Sequence, residues 1–394
     1  MSAYKKNIFP RTRGLGILIF LCLLSGVQTR AAMAQTDAKP PAPPPDVVVF
    51  QNGDQLTGTL ERGTGDSVTF KSDVVGEVTI PLAKVKELRS NGSFVVLRKD
   101  EKITRIPKPA GSITVNDATI TAVIPSEPPQ PVPVKELAYI IDSATYNREV
   151  TGNPGIWYGW NGSITGGANV LQSTSFGQTL TAGISLIRAI PTVSYLPRRT
   201  RTTFNLLQSY GNLTQPTVPQ TNPPTPDAVA KTNIFHTDFE HDKYVTSRVF
   251  VLAGLSYDHN YSQGLNFGQI YGVGVGWTAI LTPIQELDLR TDVHYQRQNF
   301  VAPTPNEDLI GSSFGAAYTR TFPHKFLFTS SGTYIQSWNN LNAYSAIGAA
   351  GLALPVYHRF SLSLNVLNTY LNNPAIGYQR NSFQFITGVT YTLH

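Results

Sequence analysis

Cysteine is almost absent: Cys22 is the single thiol in 394 residues. Charge is scarce too, at 14% of residues, where a soluble domain carries about 25%. Long apolar runs are rarer still. The single long one, "GLGILIFLCLLSGV" (Gly14 to Val27), is short of the roughly 20 residues a spanning helix needs. These absences exclude a disulfide scaffold and a helical membrane protein. There is no basic stripe and no nucleic-acid-reading motif, so no DNA or RNA partner is expected. G-x-S-x-G occurs once, as "GSSFG" (Gly311 to Gly315), inside a period-two segment and not at a strand-to-helix turn, and H-E-x-x-H does not occur.

The apolar run follows Lys5, Lys6, Arg11 and Arg13 and precedes Ala32-Met33-Ala34. A basic start, a short apolar stretch and an A-x-A site predict a secretory signal peptide over residues 1–34. Leu21 is too bulky for lipoprotein cleavage before Cys22, so the exported chain is expected to carry no cysteine. The segment also holds five basic residues, with Arg30, and no acidic ones. The formal net charge of +6 becomes +1 once these five are removed.

What remains divides by texture. Residues 35–46 are a proline-rich linker, and a second, "PSEPPQPVP", opens residues 125–154. Between them, residues 47–124 read as a small antiparallel β domain. It starts with two apolar runs around Asn52-Gly53, the residues a tight hairpin turn asks for. "KELAYIIDSATYNREV" after the second linker fits either a short helix or a strand leading into the next domain.

From Gly155 to the end lie all four tryptophans and all seven histidines. About twelve period-two segments follow one another, near 156–171, 176–190, 199–213, 233–243, 247–259, 268–282, 285–298, 310–322, 325–338, 342–355, 359–371 and 380–393. "QELDLRTDVHYQRQNF" shows the pattern best. Leu287, Leu289, Thr291, Val293 and Tyr295 alternate with Asp288, Arg290, Asp292, His294 and Gln296. Such a strand separates two very different media. Short connections ("DKYVTS", "LTPI", "FPHK", "PVYHR") alternate with long polar ones, such as Leu213 to Thr232. Only Ile190 to Arg199 is longer than that scheme expects. Short turns on one side and long loops on the other are the habit of membrane barrels. Aromatic residues gather near the strand ends (Trp157, Tyr158, Tyr210, Tyr257, Tyr261, Tyr295, Trp338, Tyr370, Tyr391), where headgroups would hold them. "GVGVG" (Gly272 to Gly276) lacks a nucleotide-binding context and is read as inward glycines that relieve lumen crowding.

The expected fold is therefore all-β. A transmembrane antiparallel barrel of about 12 strands (155–394) follows a small periplasmic β domain. The leucines of the quoted strand face lipid, and its charges face the lumen. Lumen-lining residues are then His236, Asp238, Glu240, Asp288, Arg290, Asp292 and His294. No metal site is expected, because His236 and His241 face opposite sides of one strand. No cofactor is expected either.

Two stretches resemble a known family. "VVFQNGDQLTGTLERGTGDSVTFKSDVVGEVTIPLAKVKEL" looks like the domain attached to the YdiY-like salt-induced outer-membrane proteins, whose function is unknown. "TDFEHDKYVTSRVFVLAGLSYDHNYSQGLNFGQIYGVGVGW" (Thr237 to Trp277) is similar to that family's core. The resemblance implies an outer-membrane barrel with a periplasmic extension, and it transfers no catalytic residue. The last strand, "NSFQFITGVTYTLH", resembles the terminal strand read by the barrel-assembly machinery. It departs in His394, where an aromatic is usual, and in Ile386, where a polar residue is common.

Outer-membrane lipid and the assembly machinery are thus the expected partners. The small domain is placed to touch peptidoglycan or a periplasmic partner protein. Two non-enzymatic readings stay open: a narrow pore for small solutes, or a plugged barrel serving envelope integrity or the osmotic-stress response. The alternative is a barrel hydrolase that uses His236, Asp238, Asp292 and His294, since a histidine beside a carboxylate can activate water.

Overall fold

A computed structural model describes residues 44–125, 127–172, 176–215 and 228–393. The signal peptide, most of the first linker and the middle of the 213–232 loop lie outside the described residues. Among those described, no helix is long and apolar enough to cross a membrane. That leaves crossing by strands untouched.

Nine strands make the first sheet. They are β1 (Asp46–Phe50), β2 (Gln55–Thr64), β3 (Ser67–Ser72), β4 (Gly76–Pro81), β5 (Val85–Arg98), β6 (Gly111–Asn116), β7 (Thr119–Val123), β8 (Gln130–Pro133) and β9 (Leu137–Asp142). Their order is β4-β3-β2-β1-β5-β6-β7-β8, and β9 pairs with both β2 and β5. The alternate apolar positions converge on a core of Val48, Leu60, Phe70, Leu88, Ile113, Val115, Ile120 and Ile140, all essentially without solvent. The buried Asp46 carboxylate is satisfied by the backbone N–H of Leu60 at 2.7 Å and of Asn91 at 3.1 Å.

Two expectations need correction here. The second proline-rich stretch is not a free linker: its end is β8, paired with β7. Pro131 and Pro133 suit that place, because an edge strand has an open side where a missing N–H costs little. The ambiguous segment is strand first, as β9, and helical turn second, over residues 143–151. The small domain therefore runs to Asp142, beyond the expected boundary at 124.

Twelve further strands close into a barrel in sequence order. They are β10 (Trp160–Gln172), β11 (Phe176–Ile190), β12 (Thr200–Gln215), β13 (Ala228–Tyr244), β14 (Val249–Asn260), β15 (Leu265–Leu281), β16 (Gln285–Phe300), β17 (Glu307–Thr321), β18 (Leu327–Ser337), β19 (Tyr344–Tyr357), β20 (Phe360–Leu371) and β21 (Asn381–Leu393). Every neighbouring pair is antiparallel, and β10 meets β21 with Thr165 opposite Thr390. The count of twelve and the strand positions match the periodicity.

Facing follows the period as well. Ile164, Leu180, Val251, Val273, Val275, Leu289, Val293, Phe314, Leu362 and Val389 stand exposed on the outer surface. Their chain neighbours turn inward. This apolar belt has nothing to bury it but hydrocarbon, so the barrel is membrane-spanning. Tyr210, Tyr271, Tyr295, Tyr334 and Trp338 stand exposed towards the long-loop end, and Trp277, Tyr357 and Phe360 towards the short-turn end. Such girdles are expected where aromatic rings meet headgroups. Gly276 faces inward as expected, since a methyl there would fall into the Phe250 ring.

The turn between β11 and β12, longer than its counterparts, is explained by a dock. Leu196 packs among Val95, Leu97, Ile141, Tyr146 and Val150, with Val193 and Tyr195 against the same cluster. The Arg62 guanidinium sits over the Tyr195 ring at 5.3 Å. Arg199 donates to the carbonyls of Glu149 and Val150 at 2.6 and 2.8 Å. Glu149, fully buried, accepts from the Thr192 N–H (2.8 Å), the Thr192 hydroxyl (2.8 Å), Arg148 (3.0 Å) and the Tyr158 hydroxyl (3.1 Å). The small sheet is thus fixed to the barrel rim by packing as well as by the chain. Tyr158 serves this dock rather than a lipid headgroup.

Burial alone would raise the Glu149 pKa, but the bonds from Thr192, Arg148 and Tyr158 outweigh it. The carboxyl is held below its ordinary value of 4.5. Its stabilisation is therefore complete above pH 4.5 and is lost as pH falls through the lowered value. Proteolysis of the 143–160 segment should rise steeply in that acid range, and Glu149→Gln should be cleaved readily at neutral pH with a flatter pH profile. The lipid-facing belt makes a second prediction. Val273, 65% exposed on the outer surface, should cost about 2–4 kcal/mol of folding free energy when changed to Arg in a bilayer. The lumen-facing Ser331→Arg should cost far less in the same denaturant titration.

Candidate functional site

The parity that sends the aliphatic residues outward sends a chemically mixed set inward. Between the two ends lies a chamber of about 700 Å³. His236, Asp238 and Glu240 reach it from β13, Asp258 from β14, and Arg290, Asp292 and His294 from β16. All the lumen residues singled out from sequence line it except Asp288. Asp258 was not among them, although it shares the inward parity of Phe250 and Leu252 on β14.

The groups are interlocked. His236 lies between two carboxylates, with Nδ1 at 2.6 Å from Asp258 and Nε2 at 3.1 Å from Asp238. Asn205 also donates to Asp238 at 3.0 Å. Arg290 clamps both oxygens of Glu240 at 3.0 Å. His294 places Nδ1 at 2.6 Å from Asp292, and the Ser313 hydroxyl donates to the same carboxylate at 2.5 Å. The His294 Nε2 is buried and without a protein partner among the described residues.

The order of the last trio decides what it can do. A serine nucleophile needs its hydroxyl on a histidine nitrogen, with the carboxylate behind the ring. Here the carboxylate stands in the middle. The Ser313 hydroxyl donates a hydrogen bond to Asp292, and no histidine nitrogen is held against its oxygen. The hydrolase alternative keeps its Asp–His pairs, at Asp238–His236 and Asp292–His294, but Ser313 is not placed as their nucleophile. Among the described residues no group of three or more histidine, cysteine or acidic side chains could hold a metal ion.

The short-turn end of the lumen carries a second cluster that sequence reading missed. Arg201, on β12, reaches across to Asp288 on β16 (2.5 Å), while its Nε meets Asp242 on β13 (2.7 Å). It also meets Glu286 at 3.1 Å, which Arg198 grips at 2.5 and 2.7 Å. Phe250 lies under the Arg201 guanidinium at 5.1 Å and against Tyr244 at 5.1 Å. Arg201, Asp242, Phe250, Thr278 and Asp288 are all buried, so this cluster packs the β12–β16 side of that end. At the other end, buried Gln263 donates to the carbonyls of Thr369 and Arg380 at 3.0 and 2.9 Å. Leu265, Phe300, Leu371 and Ala375 pack beside it. Gly264 has φ of +65°, and a side chain there would strike Ala375.

A family model described as "Protein of unknown function, DUF481" matches residues 192–393, and the chain belongs to that family. The match begins in the docking turn and runs through β21, leaving out the small sheet. No curated protein matches. Solved structures similar to the chain include the NanC porin, at 10% identity over 59% of this chain and 100% of that one, TM-score 0.34. An outer membrane channel from Pseudomonas putida F1 gives 10% identity over 61% and 100%, TM-score 0.34. The translocator domain of the autotransporter NalP from Neisseria meningitidis gives 12% over 59% and 87%, TM-score 0.29. Likeness this low carries nothing about activity. None of these proteins bears the salt-induced description.

Arg201 is the most exacting residue of the floor. Removing it as Arg201→Ala strands two buried carboxylates and should cost about 3–5 kcal/mol in denaturant unfolding. Restoring neutrality with Asp242→Asn and Asp288→Asn in the same chain should recover much of that loss.

Proposed function

We propose that the protein is a non-enzymatic, integral outer-membrane barrel whose lumen is a narrow, normally shut route for small solutes. The short-turn end and its small sheet face the periplasm in this reading. The observation that supports it best is a chamber of about 700 Å³ inside a membrane-spanning barrel, above a floor of interlocked side chains. Filled lumens of small barrels leave no such space, and wide porins have no such floor. The salt-induced resemblance adds a role in envelope or osmotic stress. The last strand adds recognition by the barrel-assembly machinery, and the small sheet adds a place for a periplasmic partner.

The barrel chemistry argues for passage or storage rather than catalysis. Every chamber carboxylate has a hydrogen-bonding partner, and Ser313 has no histidine on its oxygen. Planar-bilayer recording tests the reading. The wild-type protein should be silent or show brief, small openings. Phe250→Ala should raise conductance several-fold by hollowing the floor. A wide, permanently open wild-type pore, or a correctly folded Phe250→Ala barrel that stays silent, would remove the route.

A further inference from the structure

The chamber has two unlike walls. Asp238, Asp258, Glu240 and Asp292 face a single guanidinium, Arg290, and that cation is spent on Glu240. The opposite wall turns Ile335, Ile347, Leu367 and Ile386 inward, set among serines, threonines and Asn365. A purely aqueous channel has no use for them. Inward branched side chains cost solvation unless something apolar covers them. Ile386 was the residue out of pattern in the terminal strand, and it lies on this wall with 6% of its surface exposed.

Hydrogen-bonding capacity points the same way. Asp292 only accepts, so the His294 Nδ1 bonded to it carries the proton. The Nε2 is buried and unmatched by any protein partner among the described residues. The chamber therefore presents carboxylates on one side, aliphatic side chains among hydroxyls on the other, and no free guanidinium or ammonium group among the described residues. Its volume lies within the range of small-molecule sites, roughly 300–1,000 Å³.

We infer that the chamber binds an amphipathic monocation, an alkylammonium-type molecule. Its ammonium group sits among Asp258, Asp292 and His294, and its hydrocarbon part lies along Ile347 and Leu367. The inference rests on reading the lumen as a solute-holding chamber and adds the class of solute.

Three length-matched probes test it: hexylammonium, 1-hexanol and hexanoate. Each is titrated by calorimetry into detergent-refolded full-length exported chain whose folding is checked by heat-modifiable migration. Hexylammonium should bind at one site, hexanol at least tenfold more weakly, and hexanoate not measurably. Asp258→Asn and Asp292→Asn should each weaken hexylammonium about tenfold. Ile347→Ser should weaken hexylammonium while leaving methylammonium unchanged. Equal affinity for all three probes overturns the inference. So does absence of hexylammonium binding to the folded wild type, or unchanged affinity in both folded aspartate variants. Conductance is read separately. Binding by a silent barrel keeps the bound cation and removes the route, whereas conduction by a barrel that binds no probe does the reverse.

Discussion

Pairing between β10 and β21 is the constraint on which the rest depends. In hydrocarbon no water can satisfy a backbone N–H or carbonyl, so a sheet with a free edge cannot exist there. Twelve strands that each bond two neighbours leave no edge. The seam is narrow, running from Gly162 opposite Leu393 to Gly167 opposite Gly388. Its glycines reflect close approach: a side chain at Gly388 would meet the Gly166 carbonyl. Once the ring closes, the period of two does the sorting. Each strand must offer one face to lipid and the other to an enclosed interior, and both faces are fixed by the register.

That enclosure creates an electrostatic problem, and the two ends solve it differently from the middle. At the short-turn end the arginines are consumed by structure. Arg188 donates to the carbonyls of Pro154, Gly155 and Tyr158, and Arg199 to those of Glu149 and Val150. Arg198 and Arg201 neutralise the acidic groups of the floor. None of these cations is left to face the chamber. In the middle, carboxylates outnumber guanidinium groups, and two imidazoles stand between them. The acid character of the chamber is thus a by-product of spending positive charge on closing one end and holding the small sheet.

Local pattern made most of this legible. Strand positions, the number of strands, the lipid-facing side of β16 and the inward glycines of β15 all follow from alternation. Alternation is set by the geometry of a single strand and needs no partner. The features that stayed hidden involve residues far apart in the chain. Arg201 meets Asp288 across four strands, a contact fixed by barrel curvature and not by any spacing in sequence. Asp258 was passed over although it lies inside the expected segment 247–259, in a strand that runs to Asn260. Pro131 and Pro133 read as a linker because proline density does not tell an extended linker from an edge strand. The long turn at 190–199 was noticed as an exception, but its cause, the apolar dock for the small sheet, exists only in three dimensions.

The dock also changes what the small sheet can be. A domain on proline tethers would search a volume and act through its own surface alone. A domain held by Glu149, Arg199 and the Leu196 cluster moves with the barrel rim. The same turn that carries Leu196 also carries Arg198, whose guanidinium grips Glu286 beside the floor residue Arg201. Between the packed interface and the floor lie only two residues of backbone. Strain on the turn would be felt at Glu286, because a bidentate arginine–carboxylate pair is stiff in both distance and direction. A pull on the small sheet would therefore act on the floor cluster itself, and the position of Arg198 is the structural reason.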